Sequence, residues 1–117
     1  MAVNKTNAHL QQDRDRHERV YRAIADPTRR EILDRLRQGP ANANALAGNF
    51  VTSRPAISKH LRILREAGLV IDQPLGRERV YHLNAAPLGD VFGWLGDYRT
   101  FWQSSLNQLK RNLEEET

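Results

Sequence analysis

The sequence predicts a mainly α domain with one small β-hairpin about two-thirds of the way along. Three observations predict it. Apolar residues recur at spacings of three and four through most of the chain. Between Leu69 and Leu83 that period gives way to two short strand-like runs. Pro27, Gly39-Pro40, Gly68 and Pro74-Leu75-Gly76 punctuate the pattern. At 117 residues the chain is one domain's worth, with a modest core that a partner subunit would enlarge. Its 39% apolar and 27% charged residues exclude a disordered composition. It has no Cys, which excludes disulfides, thiolate metal ligands and cysteine nucleophiles. No apolar run approaches the roughly 18 residues of a membrane helix, and the start has no apolar stretch of signal-peptide length. A soluble, cytoplasmic protein is the expectation.

Residues 1–12 are polar without an apolar period and read as a flexible arm, leaving 13–115 as the domain. A helix is expected from about Arg14 to Ala25, with Val20, Tyr21 and Ile24 on one side. Asp26 is a suitable N-cap and Pro27 suits the first position of the next helix, which runs to about Gln38. Ile32, Leu33 and Leu36 form its apolar stripe, and Gly39-Pro40 stops it. Asn42 can cap a short helix to about Asn49. After the turn Phe50-Val51-Thr52, Ser53 caps a longer helix to about Ala67. Pro55 is tolerated there because first-turn donors lack helical partners. Gly68 is a left-handed stop, with Leu69 folding back onto Leu64. Leu69–Gln73 and Glu78–Leu83 are strand candidates joined by the turn residues Pro74–Arg77. One long helix, about Pro87 to Glu115, closes the chain, giving about five helices and a two-stranded hairpin.

The net charge is +4, and its distribution says more than its sum. Residues 1–38 hold nine Lys and Arg against six Asp and Glu, and residues 53–82 hold six against three, a net +3 in each. Residues 83–117 hold three against five, a net −2. A basic region of this kind favours a polyanion partner through counterion release.

The helix after Ser53 carries the most specific signal. At about 100° per residue, Ile57, Leu61 and Leu64 share one face. Arg54, Ser58, Arg62 and Arg65 fall opposite, flanked by Lys59, with no carboxylate before Glu66. The major groove admits a helix, Arg and Lys reach guanine edges, and Ser reaches either base. In a helix-turn-helix the N-terminal part of the second helix enters the groove. Here that part is Ser53, Arg54, Pro55, Ser58 and Lys59. The hairpin that follows, with Arg77 and Arg79 at its turn, is the wing with which a winged helix reaches an adjacent backbone or minor groove. Backbone contacts are assigned to Thr52, Arg62, Arg77 and Arg79.

Four stretches resemble the ArsR-type (arsenic-repressor-like) winged-helix transcriptional regulators. They are Ala25-Asp26-Pro27-Thr28-Arg29-Arg30-Glu31-Ile32-Leu33, Ser53-Arg54-Pro55-Ala56-Ile57-Ser58-Lys59-His60-Leu61, Ala67-Gly68-Leu69-Val70 and Gly76-Arg77-Glu78-Arg79-Val80-Tyr81. The resemblance spans roughly residues 17–113. It implies a homodimer through the first and last helices, here Tyr21 with Val91, Leu95, Tyr98, Trp102, Leu106 and Leu109. It also implies an imperfect inverted repeat in operator DNA as the partner, and a repressor's role.

Many members of that family sense metals, but their ligand positions do not match here. The cysteine pair before the turn is replaced by Asn44-Ala45-Leu46-Ala47, and the last helix has Asp90 and Asp97 without a His after His82. Carboxylates alone make a poor zinc site. His9, Asp13, Asp15 and His17 read as solvated polar residues. No metal and no cofactor is therefore expected. Phe92, Trp94, Tyr98, Phe101 and Trp102 crowd one stretch that resembles a family branch lacking metal ligands, often regarded as self-regulating repressors. Packing at a dimer seam is the favoured reading of these aromatics over a pocket for an unidentified small-molecule effector. His60 reads as a packing or phosphate-contacting residue, and no catalytic constellation is visible. A protein–protein adaptor that does not read DNA is the alternative function, disfavoured by the basic helix face.

Overall fold

The computed structural model describes residues 2–116, with side chains from residue 8 onward. The elements in order are α1 (Ala2–Ile24), α2 (Pro27–Arg37), β1 (Ala41–Asn42), α3 (Ala43–Gly48), α4 (Arg54–Glu66), β2 (Val70–Leu75), β3 (Glu78–Leu83), α5 (Leu88–Gly96) and α6 (Arg99–Glu115).

The centre of the chain folds by local rules. The Asp26 side chain accepts from the Arg29 amide at 3.0 Å and starts α2 with Pro27. Asn42 accepts from the Ala45 amide at 2.8 Å and starts α3. Ser53 accepts from the Ala56 amide at 3.3 Å and starts α4. At the end of α4, Gly68 adopts φ +77 and the last carbonyls are closed by Gly68 N–H to Arg65 O (2.9 Å) and Leu69 N–H to Leu64 O (3.0 Å). That is the Schellman arrangement, with Leu64 and Leu69 both fully buried beside it. Asn84 then ties the base of the hairpin to this cap, donating from Nδ2 to Gly68 O and from its amide to Leu69 O, each at 2.8 Å.

One core joins these elements: Val20 and Ala23 of α1, Ile32, Leu33 and Leu36 of α2, Leu46 of α3, Ile57, Leu61 and Leu64 of α4, and Leu69 and Val70 entering β2. The α1–α2 corner is locked from α2. Arg29 donates to Ala23 O (2.8 Å) and Arg22 O (2.9 Å), and Arg30 to Ile24 O (2.8 Å). These are last-turn carbonyls of α1, which lack the usual i+4 helical donor, and Arg22 O also accepts from the Ala25 amide at 3.3 Å.

Four expectations are corrected. The first helix begins at Ala2 rather than at about Arg14. Once the helix is nucleated further on, its extension costs only propagation, and Gln11 donates one turn on to Asp15 at 3.1 Å. Residues 8–16 are all exposed, and Arg16 at the end of that stretch reaches Asp90 of α5 at 3.6 Å. The sheet has three strands in the order β1-β3-β2, not two, because Ala41 and Asn42 pair with Tyr81 and Val80. Pro74 and Leu75 extend β2 rather than forming the turn, with Pro74 on an edge strand where its missing N–H costs little. The turn shrinks to Gly76-Arg77, with Gly76 at φ +64 as a glycine-first two-residue hairpin requires. Finally, the closing helix divides into α5 and α6, making six helices among the described residues. Gly93 and Gly96 weaken it, and the break is tightened by i→i−3 bonds from Asp97 to Trp94 O (3.2 Å) and Tyr98 to Leu95 O (3.0 Å).

The result is flat and open, 64 × 54 × 21 Å, with a radius of gyration of 19.7 Å. A close-packed chain of this length has about 13 Å. The excess comes from the outlying helices, since every residue of α6 is exposed.

Candidate nucleic-acid interface

The basic face of α4 stands clear of the core. Ile57, Leu61 and Leu64 are buried, while Arg54, Pro55, Ser58, Lys59, Arg62 and Arg65 are exposed on the other side. Ser53 is exposed and Thr52 half-buried at the entrance to the helix. The helix therefore starts on an N-cap and presents its first turn and a half to solvent.

Two clefts converge on this face. One, of about 420 Å³, lies between Asn42 and Asn44, the start of α4 at Arg54 and Ser58, and the wing residues Arg77, Glu78, Arg79 and Tyr81. The other, of about 610 Å³, runs along α4 past Pro55, Ser58, Lys59, Arg62 and Arg65 and is closed by Tyr81. Ser58 and Tyr81 border both. The two adjoining clefts bring Arg54, Pro55, Ser58 and Lys59 of the expected base-contacting set beside Arg62, Arg77 and Arg79 of the expected backbone set, whereas Ser53 and Thr52 line neither of them. Arg77 sits exposed at the hairpin tip.

Other participants were not visible in the sequence. Asn42 donates to Glu78 Oε2 at 3.0 Å, tying the start of α3 to the wing. Asp72 pairs with Arg79 and lies 3.5 Å from Arg65 Nη1. The Arg79 hydrogen bond, with the Arg65 charge adding to it, holds the Asp72 carboxyl below the usual carboxylate range despite partial burial. His60 turns away from the open face. Its Nδ1 accepts from Arg29 at 3.3 Å and lies 4.0 Å from Asp26 Oδ2, so it packs into the α1–α2 corner. Asp26 is likewise held below the usual range, chiefly by the Arg29 amide.

At the other end, Tyr21, Trp94, Tyr98 and Trp102 form a chain of rings with centroids 6.2, 5.4 and 6.3 Å apart. Trp94 links Tyr21 of α1 to α5 and α6, a role the spacing alone did not assign. Val91 leans on the chain's own core and Leu95 is half-buried, whereas Tyr98, Trp102, Leu106 and Leu109 are exposed along the outer helices. Leu113 extends that stripe, at 57% exposure.

Cysteines are absent, and the nearest His–Asp approach joining separate helices, His17 Nε2 to Asp90 Oδ1 at 3.5 Å, is shared with Arg16, 3.6 Å from Asp90 Oδ2. A guanidinium on the same carboxylate opposes a second cation. Among the described residues no three His, Cys, Asp or Glu side chains are grouped to hold an ion, and no helix is long and apolar enough to cross a membrane.

A groove-sized basic helix beside a basic hairpin defines a DNA-binding winged helix-turn-helix. Residues 26–72 match the family model of the bacterial regulatory protein, arsR family. The HTH-type transcriptional regulator Rv2034 of Mycobacterium tuberculosis (strain ATCC 25618 / H37Rv) is 38% identical over 99 residues, 85% of this chain and 90% of that protein. The transcriptional repressor SdpR of Bacillus subtilis (strain 168) is 43% identical over 76 residues, 65% of this chain and 84% of that protein. The solution structure of the homodimeric winged helix-turn-helix DNA-binding domain of Mb0332 from Mycobacterium bovis superposes with a TM-score of 0.60 at 27% identity, covering 74% of this chain and 80% of that one. The chain belongs to the ArsR family and is a DNA-binding transcriptional regulator.

Proposed function

We propose that the chain is a homodimeric repressor that binds an inverted-repeat operator and works without a metal. The observation that carries this reading is the pair of adjoining clefts, bordered in common by Ser58 and Tyr81, that the basic face of α4 forms with the wing. Ser53, Arg54, Pro55, Ser58 and Lys59 read bases, with Arg54 the strongest candidate for a bidentate contact to guanine. Thr52, Arg62, Arg77 and Arg79 take phosphates.

Dimerisation is supported by the exposed stripe on α6 and by the printed description of Mb0332 as homodimeric. Leu106, Leu109 and Leu113 are each more than half exposed, which is costly for a helix that stays alone. The repressor's role is supported by the name of SdpR. Metal independence is supported by the missing thiolates and by the Arg16 cation on Asp90. The regulator acts in the cytoplasm, on DNA, and any small-molecule effector would enter between the aromatic rings of α5 and α6.

Selection from a random-sequence duplex pool tests the reading. The expected outcome is an enriched motif with two half-sites related by a two-fold axis and centred about one helical turn apart. A pool with no enriched motif would overturn it in favour of an adaptor.

A further inference from the structure

We propose that Asp72 is a specificity-determining residue of the DNA-binding face: it holds Arg65 of α4 and Arg79 of β3 in one ion bridge and withholds both from phosphates until the wing is correctly seated. The proposal rests on the DNA-binding reading of that face. It begins with the pleat of the sheet. Along β2 the alternation puts Val70, Asp72 and Pro74 on one face, and their partners across the ladder are Leu83, Tyr81 and Arg79. Val70 is buried in the core, so this is the face turned toward α4. A carboxylate in the middle of such a face is costly unless it is paired.

Asp72 is paired twice. Its side chain is 14% exposed, and the same Oδ2 meets Arg79 Nη1 and lies 3.5 Å from Arg65 Nη1. The two arginines come from the recognition helix and the wing, Arg79 bordering the first cleft and Arg65 the second. Their side chains remain 46% and 64% exposed, so each is open to a phosphate as well as to Asp72. The carboxyl is held below the usual carboxylate range, so it stays ionised at neutral pH and competes for them throughout.

The consequence concerns the charge balance. Arg54, Lys59, Arg62 and Arg77 are exposed on this face already. Two further free guanidiniums would strengthen binding to any duplex, because phosphate contacts carry no sequence information. Asp72 makes those two contacts conditional. On random DNA the bridge persists. On the operator, a seated wing brings a phosphate close enough to displace it.

The test uses fluorescence anisotropy with a random-sequence 30-base-pair duplex across a salt series. Asp72→Asn keeps the size of the side chain and removes its charge. It is expected to bind the random duplex about tenfold more tightly at 0.1 M salt, with a log–log salt slope steeper by about one to two. Arg79→Gln alone is expected to lower the random-duplex slope by clearly less than one. In the Asp72→Asn background it should reduce the slope by about one, a coupling that a loosened wing would not produce. Unchanged or weaker binding by Asp72→Asn, or an equal effect of Arg79→Gln in both backgrounds, would overturn the proposal and leave the bridge a brace. Wild-type protein that binds no duplex in a salt-dependent way would instead overturn the DNA-binding reading, and the proposal with it.

Discussion

The stretch from Asp26 to Leu83 and the outer helices that flank it are built on opposite terms. In the first, each helix starts on a side-chain cap, its apolar face is buried, and its polar face is left to solvent. In the second, α6 has a regular apolar stripe and buries none of it, and α5 has no side-chain cap. The first region completes its core within one chain. The second exposes Phe92, Trp94, Phe101, Trp102, Leu106, Leu109 and Leu113, surface that a lone chain has nothing to cover with. On the proposed reading, the first part reads DNA and the second sets the spacing between two copies of the chain.

The sharpest way to break that contrast is to damage each region separately. Leu61→Ala removes a fully buried anchor of α4 and should cost about 2–5 kcal/mol of stability, read as a large fall in the denaturant midpoint. A near-neutral result would mean the central core is not self-sufficient. Trp102→Ala lies outside that core and should spare the chain's own packing. It should raise the dimer dissociation constant by about tenfold or more, measured by sedimentation equilibrium. Monodisperse dimers of the variant at low micromolar concentration would remove Trp102 from the seam.

Within the central region, two arginines should separate by kind of effect. Arg54→Ala should cost about 1–3 kcal/mol against the preferred sequence and relax preference at one base pair. Arg77→Ala should weaken binding to all sequences and reduce the salt slope by about one. An unchanged slope would remove Arg77 from the wing contact.

The smallest expected effect is at the caps, and it is pH-dependent. Asp26 and Asp72 have carboxyls lowered from 3.8 in the folded chain. The unfolded chain therefore binds more protons in that window, and stability rises with pH through it. The contribution is fully present above the ordinary carboxylate value and is lost as the pH falls through the lowered one. Asp26→Asn preserves an N-cap oxygen and should change neutral-pH stability little. Acid unfolding followed below pH 4 should be shallower for this variant than for wild type, and an identical acid limb would contradict the assignment.

What was legible in the sequence follows the same division. Asp26, Asn42, Ser53 and Gly68 announce helix ends because caps act within three or four residues of chain. Ile57, Leu61 and Leu64 were readable because one face must be apolar to bury. Contacts that depend on distant pairing were not readable. Ala41-Asn42 becomes a strand only because β3 arrives beside it, and Arg29 and Arg30 close α1 only once the corner has formed. The Asp72 bridge needs strand register and helix placement together, although its period-two spacing from Val70 already places a charge on an inward face. The break at Asp97-Tyr98 left the three-and-four spacing intact on both sides, so periodicity passed over it. Gly93 and Gly96 were the available signal.

We propose that this chain binds a specific operator by the basic face of α4 and the wing, without a metal. The most direct measurement is fluorescence anisotropy with the DNA upstream of its own gene, against a scrambled duplex, at several salt concentrations and with added zinc or a chelator. A tight complex is expected that prefers the native sequence, weakens with salt and is indifferent to both additions. Equal binding to the scrambled duplex, or release of the complex by zinc, would contradict it.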